Sequence, residues 1–138
     1  NMTPRETLEA CRSMAQECAK LAELIEIAEK RIPMGPSASV SVALRDTPCG
    51  GNDATTAAIQ RIDGLEEWYL RDHAELVMLA GQVEDIIVGL ETWAQVLIRA
   101  YYIDGKADAE VAVLMGWNFR QTAQNKRSDA LALIESNA

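Results

Sequence analysis

The sequence predicts an all-α protein, a long antiparallel helical hairpin followed by a C-terminal helix-turn-helix. Three observations predict it. Residues 4–32 and about 52–90 place their apolar side chains in steps of mainly three and four, the period of a helix face. Pro33, Gly35, Pro36, Pro48, Gly50 and Gly51 crowd into the interval between those stretches. Gly105 and Gly116 then cut the last forty residues into short pieces of helical pattern. The chain has 138 residues, the length of one domain or of a small domain with a helical extension. We divide it into a two-helix arm over 1–90, with a loop at 33–53, and a helix-turn-helix module over 91–138.

In the first stretch Leu8, Cys11, Ala15, Cys18, Ala22, Ile25 and Ile32 form a stripe close to a heptad, with Glu29 as its one polar interruption. Met14, Leu21, Leu24 and Ala28 widen it. Thr3 is the expected N-cap, Pro4 suits the first turn, and Glu6 is spaced to close a capping box. Pro33 ends the helix, because the residue before a proline is pushed out of helical geometry. In the following loop Val40, Val42 and Leu44 alternate with smaller or polar residues, so it reads either as a flexible linker or as carrying a short extended segment.

The second long helix is expected to begin near Asn52–Asp53, both good caps. Its stripe is Ile59, Ile62, Leu65, Tyr69, His73, Leu76, Ala80, Val83, Ile87 and Leu90. Gly64, Gly81 and Gly89 each weaken it by ~1 kcal/mol relative to Ala, and a break is expected near Gly89. Two such stripes can pair within one chain as a hairpin or between chains as a coiled coil. A lone helix pair leaves much apolar area uncovered, which predicts a homo-oligomer.

Thr92 is the expected cap of a third helix with Trp93, Val96, Leu97, Ala100 and Tyr101, and Asp104-Gly105 marks a turn. A short helix follows from about Ala107 to Met115, with Val111, Ala112, Leu114 and Met115 facing inward and Gly116 as its stop. The last helix runs from around Asn118 to about Glu135, its inward face being Phe119, Ala123, Ala130, Leu131 and Ile134. Short helix, glycine turn, longer helix is the helix-turn-helix order. Small Ala112 allows close approach of the two helices.

The charge distribution points the same way. The chain carries 13 basic and 21 acidic residues, a net −8, which argues against general nucleic-acid binding by the whole molecule. Residues 99–138 hold five of each sign, so the whole excess of acid lies in residues 1–98. Residues 117–128 contain Arg120, Lys126 and Arg127 and no acid, together with Asn118, Gln121, Gln124 and Asn125, whose amides can pair with base edges. A neutral module with a basic tip beside an acidic arm fits directed contact with double-stranded DNA.

The runs Trp93-Ala94-Gln95-Val96-Leu97-Ile98-Arg99-Ala100-Tyr101-Tyr102-Ile103-Asp104-Gly105 and Glu110-Val111-Ala112-Val113-Leu114-Met115-Gly116-Trp117 resemble the C-terminal part of RinA/ArpU-type phage transcriptional regulators. The segment from Leu44 to Asp53 resembles the linker between the long helices of those proteins. The resemblance implies a phage or prophage transcription regulator with a sigma-factor region 4-like helix-turn-helix. On it, Arg120, Gln121, Gln124 and Arg127 are the groove-facing residues and Lys126 is a phosphate contact. By the same analogy, RNA polymerase is a partner for the acidic arm. Two other classes share these parts. One is a small terminase-like packaging component, and the other is a helical adaptor that binds protein and no DNA.

Enzyme and cofactor chemistry find no support in the sequence. His73 is the single histidine, which excludes a multi-histidine metal site, and its place on the inner stripe reads as packing. Cys11 and Cys18 lie one heptad apart on an apolar face, and Cys49 has no identifiable base. This odd set of thiols suits a reducing cytoplasm, here that of a bacterial host. Trp68, Trp93 and Trp117 read as packing anchors. The neighbouring acids Glu66-Glu67 and Glu84-Asp85 diverge around a helix, and Cys49-Gly50-Gly51 lacks the Lys-Ser/Thr of a phosphate loop. No apolar run is long enough for a membrane span, and the N-terminus has no signal-peptide pattern.

Overall fold

The computed structural model describes residues 2–32 and 51–137, and among these it is all α-helical. The readings made for 33–50, including the extended segment and Cys49, lie outside the described residues. The elements are α1 (Pro4–Lys30), α2 (Gly51–Ile87), α3 (Thr92–Ile98) continuing into a π-helical turn (Arg99–Ile103), α4 (Asp108–Met115) and α5 (Arg120–Asn137). No described helix is long and apolar enough to cross a membrane.

Local chemistry accounts for the ends of these elements. Thr3 and Glu6 form the expected capping box: Glu6 N–H donates to Thr3 Oγ1 at 3.2 Å and Thr3 N–H donates to Glu6 Oε1 at 2.9 Å. Those bonds favour the ionised carboxylate and hold the Glu6 pKa below its usual value. At the far end of α2 the chain turns through Val88–Leu90, and Gln95 Nε2 donates to the carbonyls of Val88 (3.2 Å) and Leu90 (2.9 Å). The break expected near Gly89 is therefore present, and an amide from the next helix satisfies its carbonyls. Glu91, not Thr92, is the N-cap of α3; Thr92 is its first helical residue.

The chain forms two compact units, residues 1–17 with 72–138, and residues 18–71. Both unit limits therefore fall inside helices α1 and α2, whereas the sequence division falls after residue 90. In the 18–71 unit, Ile27 and Ala28 share a groove with Ala58 and Leu65, while Ala22 and Ile25 share one with Tyr69 and Leu70. Numbers rising along α1 meet numbers falling along α2, so the two helices run antiparallel here. Cys18, Leu21 and Ile62 are buried in this unit; Ala22, expected on the stripe, is exposed.

The larger unit has one continuous core, with Leu8 and Cys11 from α1, Leu79, Val83 and Ile87 from α2, Leu97 and Ile98 from α3, Val111 and Ala112 from α4, and Ala123, Ala130 and Ile134 from α5. Burial pushes the Cys11 thiol up to about 11, so it packs as a small hydrophobe. On α2 the inner positions are Asp72, Leu79, Val83 and Ile87, which turns His73 outward to an exposed position. The i, i+4 spacing of Leu79, Val83 and Ile87 fixes that phase.

Two residues expected inside α4 and α5 lie outside. Burial of Val111 and Ala112 sets the face of α4, and Leu114, two positions and so about 200° round the helix from Ala112, is exposed. Phe119 precedes the first turn of α5 and so escapes the helical phase that buries Ala123, Ala130 and Ile134. Trp68 is also half exposed instead of acting as a packing anchor.

Candidate nucleic-acid interface

Residues 108–137 fold as two packed helices joined by a short turn. Gly116 makes the turn: its φ of 76° lies in the left-handed region, where a Cβ is strained. Trp117 N–H reaches back to the Ala112 carbonyl at 2.8 Å and Gly116 N–H to that of Val113 at 3.1 Å, the paired bonds of a Schellman stop. At the start of α4, Ala107 has no capping side chain. Glu110 Oε1 instead accepts the Ala107 N–H at 2.9 Å, which supplies half of a capping box.

The leading turns of α5 display most of the residues that the sequence selects. Arg120, Gln121, Asn125 and Lys126 are exposed, and Gln124 is half-buried. Gln121 Nε2 donates to Asn125 Oδ1 at 3.1 Å, one turn along the same face. Lys126 Nζ lies 5.3 Å from the centroid of the Trp93 ring on α3, a cation–π approach that leaves its charge at the surface. Neither Arg120 nor Lys126 has a carboxylate partner among the described residues.

Arg127 is placed differently from the other four. Its guanidinium forms an ion pair with Asp108, the first residue of α4, and both side chains are largely covered, at 20% and 17% exposure. The same guanidinium sits 3.9 Å from the centroid of the Tyr101 ring. Arg12 of α1 approaches that ring at 3.7 Å. One face of a phenol ring accommodates one guanidinium at this distance, so the two arginines sandwich Tyr101. Arg12 Nη1 also donates to the carbonyls of Tyr101 and, at 2.9 Å, of Lys106, closing the end of the π-helical turn. The stack Arg12–Tyr101–Arg127–Asp108 thus ties α1, the π-helical turn, α4 and α5 together.

Sequence reading missed this stack. Its members are separated by up to 115 positions and share no motif; Asp108 opposite a basic helix one turn further on was the only available hint. The polar groove beside the stack, about 470 Å³ and lined by Arg5, Glu9, Arg12 and Arg127 among others, looks cationic by composition. Its cations are engaged, however: Arg5 pairs with Glu135 at 3.2 Å, Arg127 pairs with Asp108, and Arg12 serves two carbonyls. A two-pronged ion pair joins the π-helical turn to α2, where Arg99 Nε and Nη2 each donate to a Glu84 oxygen at 2.7 Å. The Arg99 guanidinium holds the Glu84 carboxyl below its usual range.

Comparison with known protein families, curated proteins and solved structures finds no match for this chain.

Proposed function

We propose that the chain is a DNA-binding transcription regulator of phage or prophage origin that inserts the leading turns of α5 into the major groove. The supporting observation is that those turns are solvent-displayed. Arg120, Gln121, Asn125 and Lys126 are exposed in a stretch of twelve residues without an acid. A duplex supplies phosphates to the cations and base edges to the amides. In this reading Lys126 holds a phosphate, Arg120 and Gln121 meet base edges, Gln124 lies at the margin of the groove, and Arg127 holds the module in shape from behind.

The same reading makes the protein a homo-oligomer through the 18–71 unit. Two helices alone leave Leu24, Ile27, Ile59, Trp68 and Leu70 exposed there, and a second copy offers matching apolar faces. Light scattering that returns a strict monomer at micromolar concentration removes this part.

Fluorescence anisotropy of the full chain on labelled 25-base-pair duplexes tests the main claim. One phosphate contact per subunit in a dimer predicts an affinity loss of roughly 10-fold between 50 and 200 mM salt. Lys126→Ala lowers affinity on all sequences alike, while Arg120→Ala relaxes sequence preference. Absence of binding at 50 mM salt overturns the reading and favours a protein-binding adaptor. A large ring in solution redirects it to a packaging component.

A further inference from the structure

We propose that Phe119 is a specificity-determining residue that reads a thymine by apolar contact with its C5-methyl group. The inference rests on the DNA-binding reading above and names part of what the helix reads.

Phe119 is the single phenylalanine of the chain, and it is 71% exposed. It stands immediately before Arg120, the first residue of α5, and its carbonyl accepts the Thr122 N–H at 3.1 Å, so its backbone is fixed at the mouth of the helix. That position normally favours Ser, Thr, Asp or Asn, whose side chains cap the free N–H groups; an aromatic residue forgoes the cap. It also leaves a large apolar ring in water. Folding therefore gains nothing evident from Phe at this site, and Trp117, two residues earlier, is the aromatic that packs against the core.

The ring's neighbours in sequence point to what it meets. Arg120 and Gln121 follow it directly and are exposed, and no acid occurs from residue 117 to 128. A helix presented to the major groove by its first residues brings position 119 to the groove floor along with them. The one apolar feature on that floor is the thymine methyl, which distinguishes T from C and from uracil in the same pairing. Val113 and Leu114 on α4 are exposed as well, and a protein partner could cover all three. Of the three, Phe119 alone lies in the acid-free segment beside the base-reading amides, which favours DNA as its partner.

The test uses the full chain and a pool of random 20-base-pair duplexes. Sequences retained by the protein are resynthesised with uracil replacing thymine at one position at a time, which removes the methyl and leaves base pairing intact. At one position per half-site, uracil lowers affinity roughly four-fold, the transfer value of one buried methyl group. Phe119→Ala lowers affinity for the thymine duplex by a similar factor and abolishes the thymine–uracil difference. The wild-type comparison needs no variant, so it stands whether or not Phe119→Ala folds. Equal affinity for thymine and uracil at every position, or a difference that persists in Phe119→Ala, overturns the proposal and leaves DNA binding intact. Failure to retain any duplex at 50 mM salt overturns both.

Discussion

Arg127→Met separates a DNA contact from a structural brace, because the substitution keeps the apolar stem and removes the guanidinium. In the folded protein it leaves Asp108 without its partner at 17% exposure. Breaking a fully buried pair from one side costs about 3–5 kcal/mol. Two features reduce that here. Part of the pair still meets water, and Asp108 opens α4, where helix N–H groups favour an anion by about 0.5 kcal/mol. A remainder of about 2 kcal/mol, with about 0.5–1 kcal/mol for the lost cation–π contact on Tyr101, gives about 2–3 kcal/mol. Urea unfolding followed by circular dichroism should then show the midpoint lower by roughly 1 M or more. A double-mutant cycle with Asp108→Asn should return a coupling of about 1–2 kcal/mol. A midpoint unchanged within error, or zero coupling, refutes the brace. If such a variant also lost DNA affinity, Arg127 would belong with the groove-facing residues after all.

A Cβ built on Gly81 meets nothing within 4 Å and that residue is inside α2, so Gly81→Ala should stabilise by about 0.5–1 kcal/mol; Gly116→Ala, forced to a φ of 76°, should destabilise by about 1 kcal/mol, both read by urea unfolding. Asp72 is buried and its Oδ2 has no hydrogen-bond partner among the described residues, so Asp72→Leu, which replaces that unsatisfied acceptor by an apolar group of the same branching, should raise the melting temperature by roughly 4 °C. Glu84 has a folded pKa below its unfolded value, so its pairing with Arg99 contributes stability above the ordinary glutamate pKa of about 4.3 and loses it as pH falls through the lower folded value. The melting-temperature difference between wild type and Glu84→Gln should accordingly stay constant from pH 7 to 5 and vanish only in the acid range; a difference that instead grows below pH 4 refutes the assignment.

The helical class was legible because period and punctuation are local. The capping box at Thr3–Glu6, the break near Gly89 and the left-handed stop at Gly116 each depend on residues within one turn of each other. Helix phase was less legible where polar and apolar residues compete for one face. His73 and Ala80 fit a three–four pattern as well as Asp72 and Leu79 do, and packing of Leu79, Val83 and Ile87 decided for the latter pair. That decision buries a carboxylate, which no reading of hydrophobic period anticipates. Phe119 failed for the complementary reason: an apolar residue was assigned to the core by its type, although it falls before the helix whose period was being counted.

For the candidate interface the sequence placed Arg120, Gln121, Gln124, Lys126 and Arg127 on one helix, but it could not divide them between surface and scaffold. Arg120, Lys126 and Arg127 are equivalent as cations in a list of residues, and they become different only through partners far away in sequence. Asp108 and Tyr101 neutralise and stack Arg127 from 19 and 26 positions upstream, and Trp93 approaches Lys126 from 33. The acid-free stretch therefore carries three positive charges as sequence and two without a carboxylate partner as structure. On the proposed reading, with fewer cations to hold a duplex, recognition draws more on Gln121, Asn125 and the exposed ring of Phe119. Charge alone would give an affinity indifferent to sequence, whereas a tip with two cations, paired amides and one aromatic ring gains most of its discrimination from base edges.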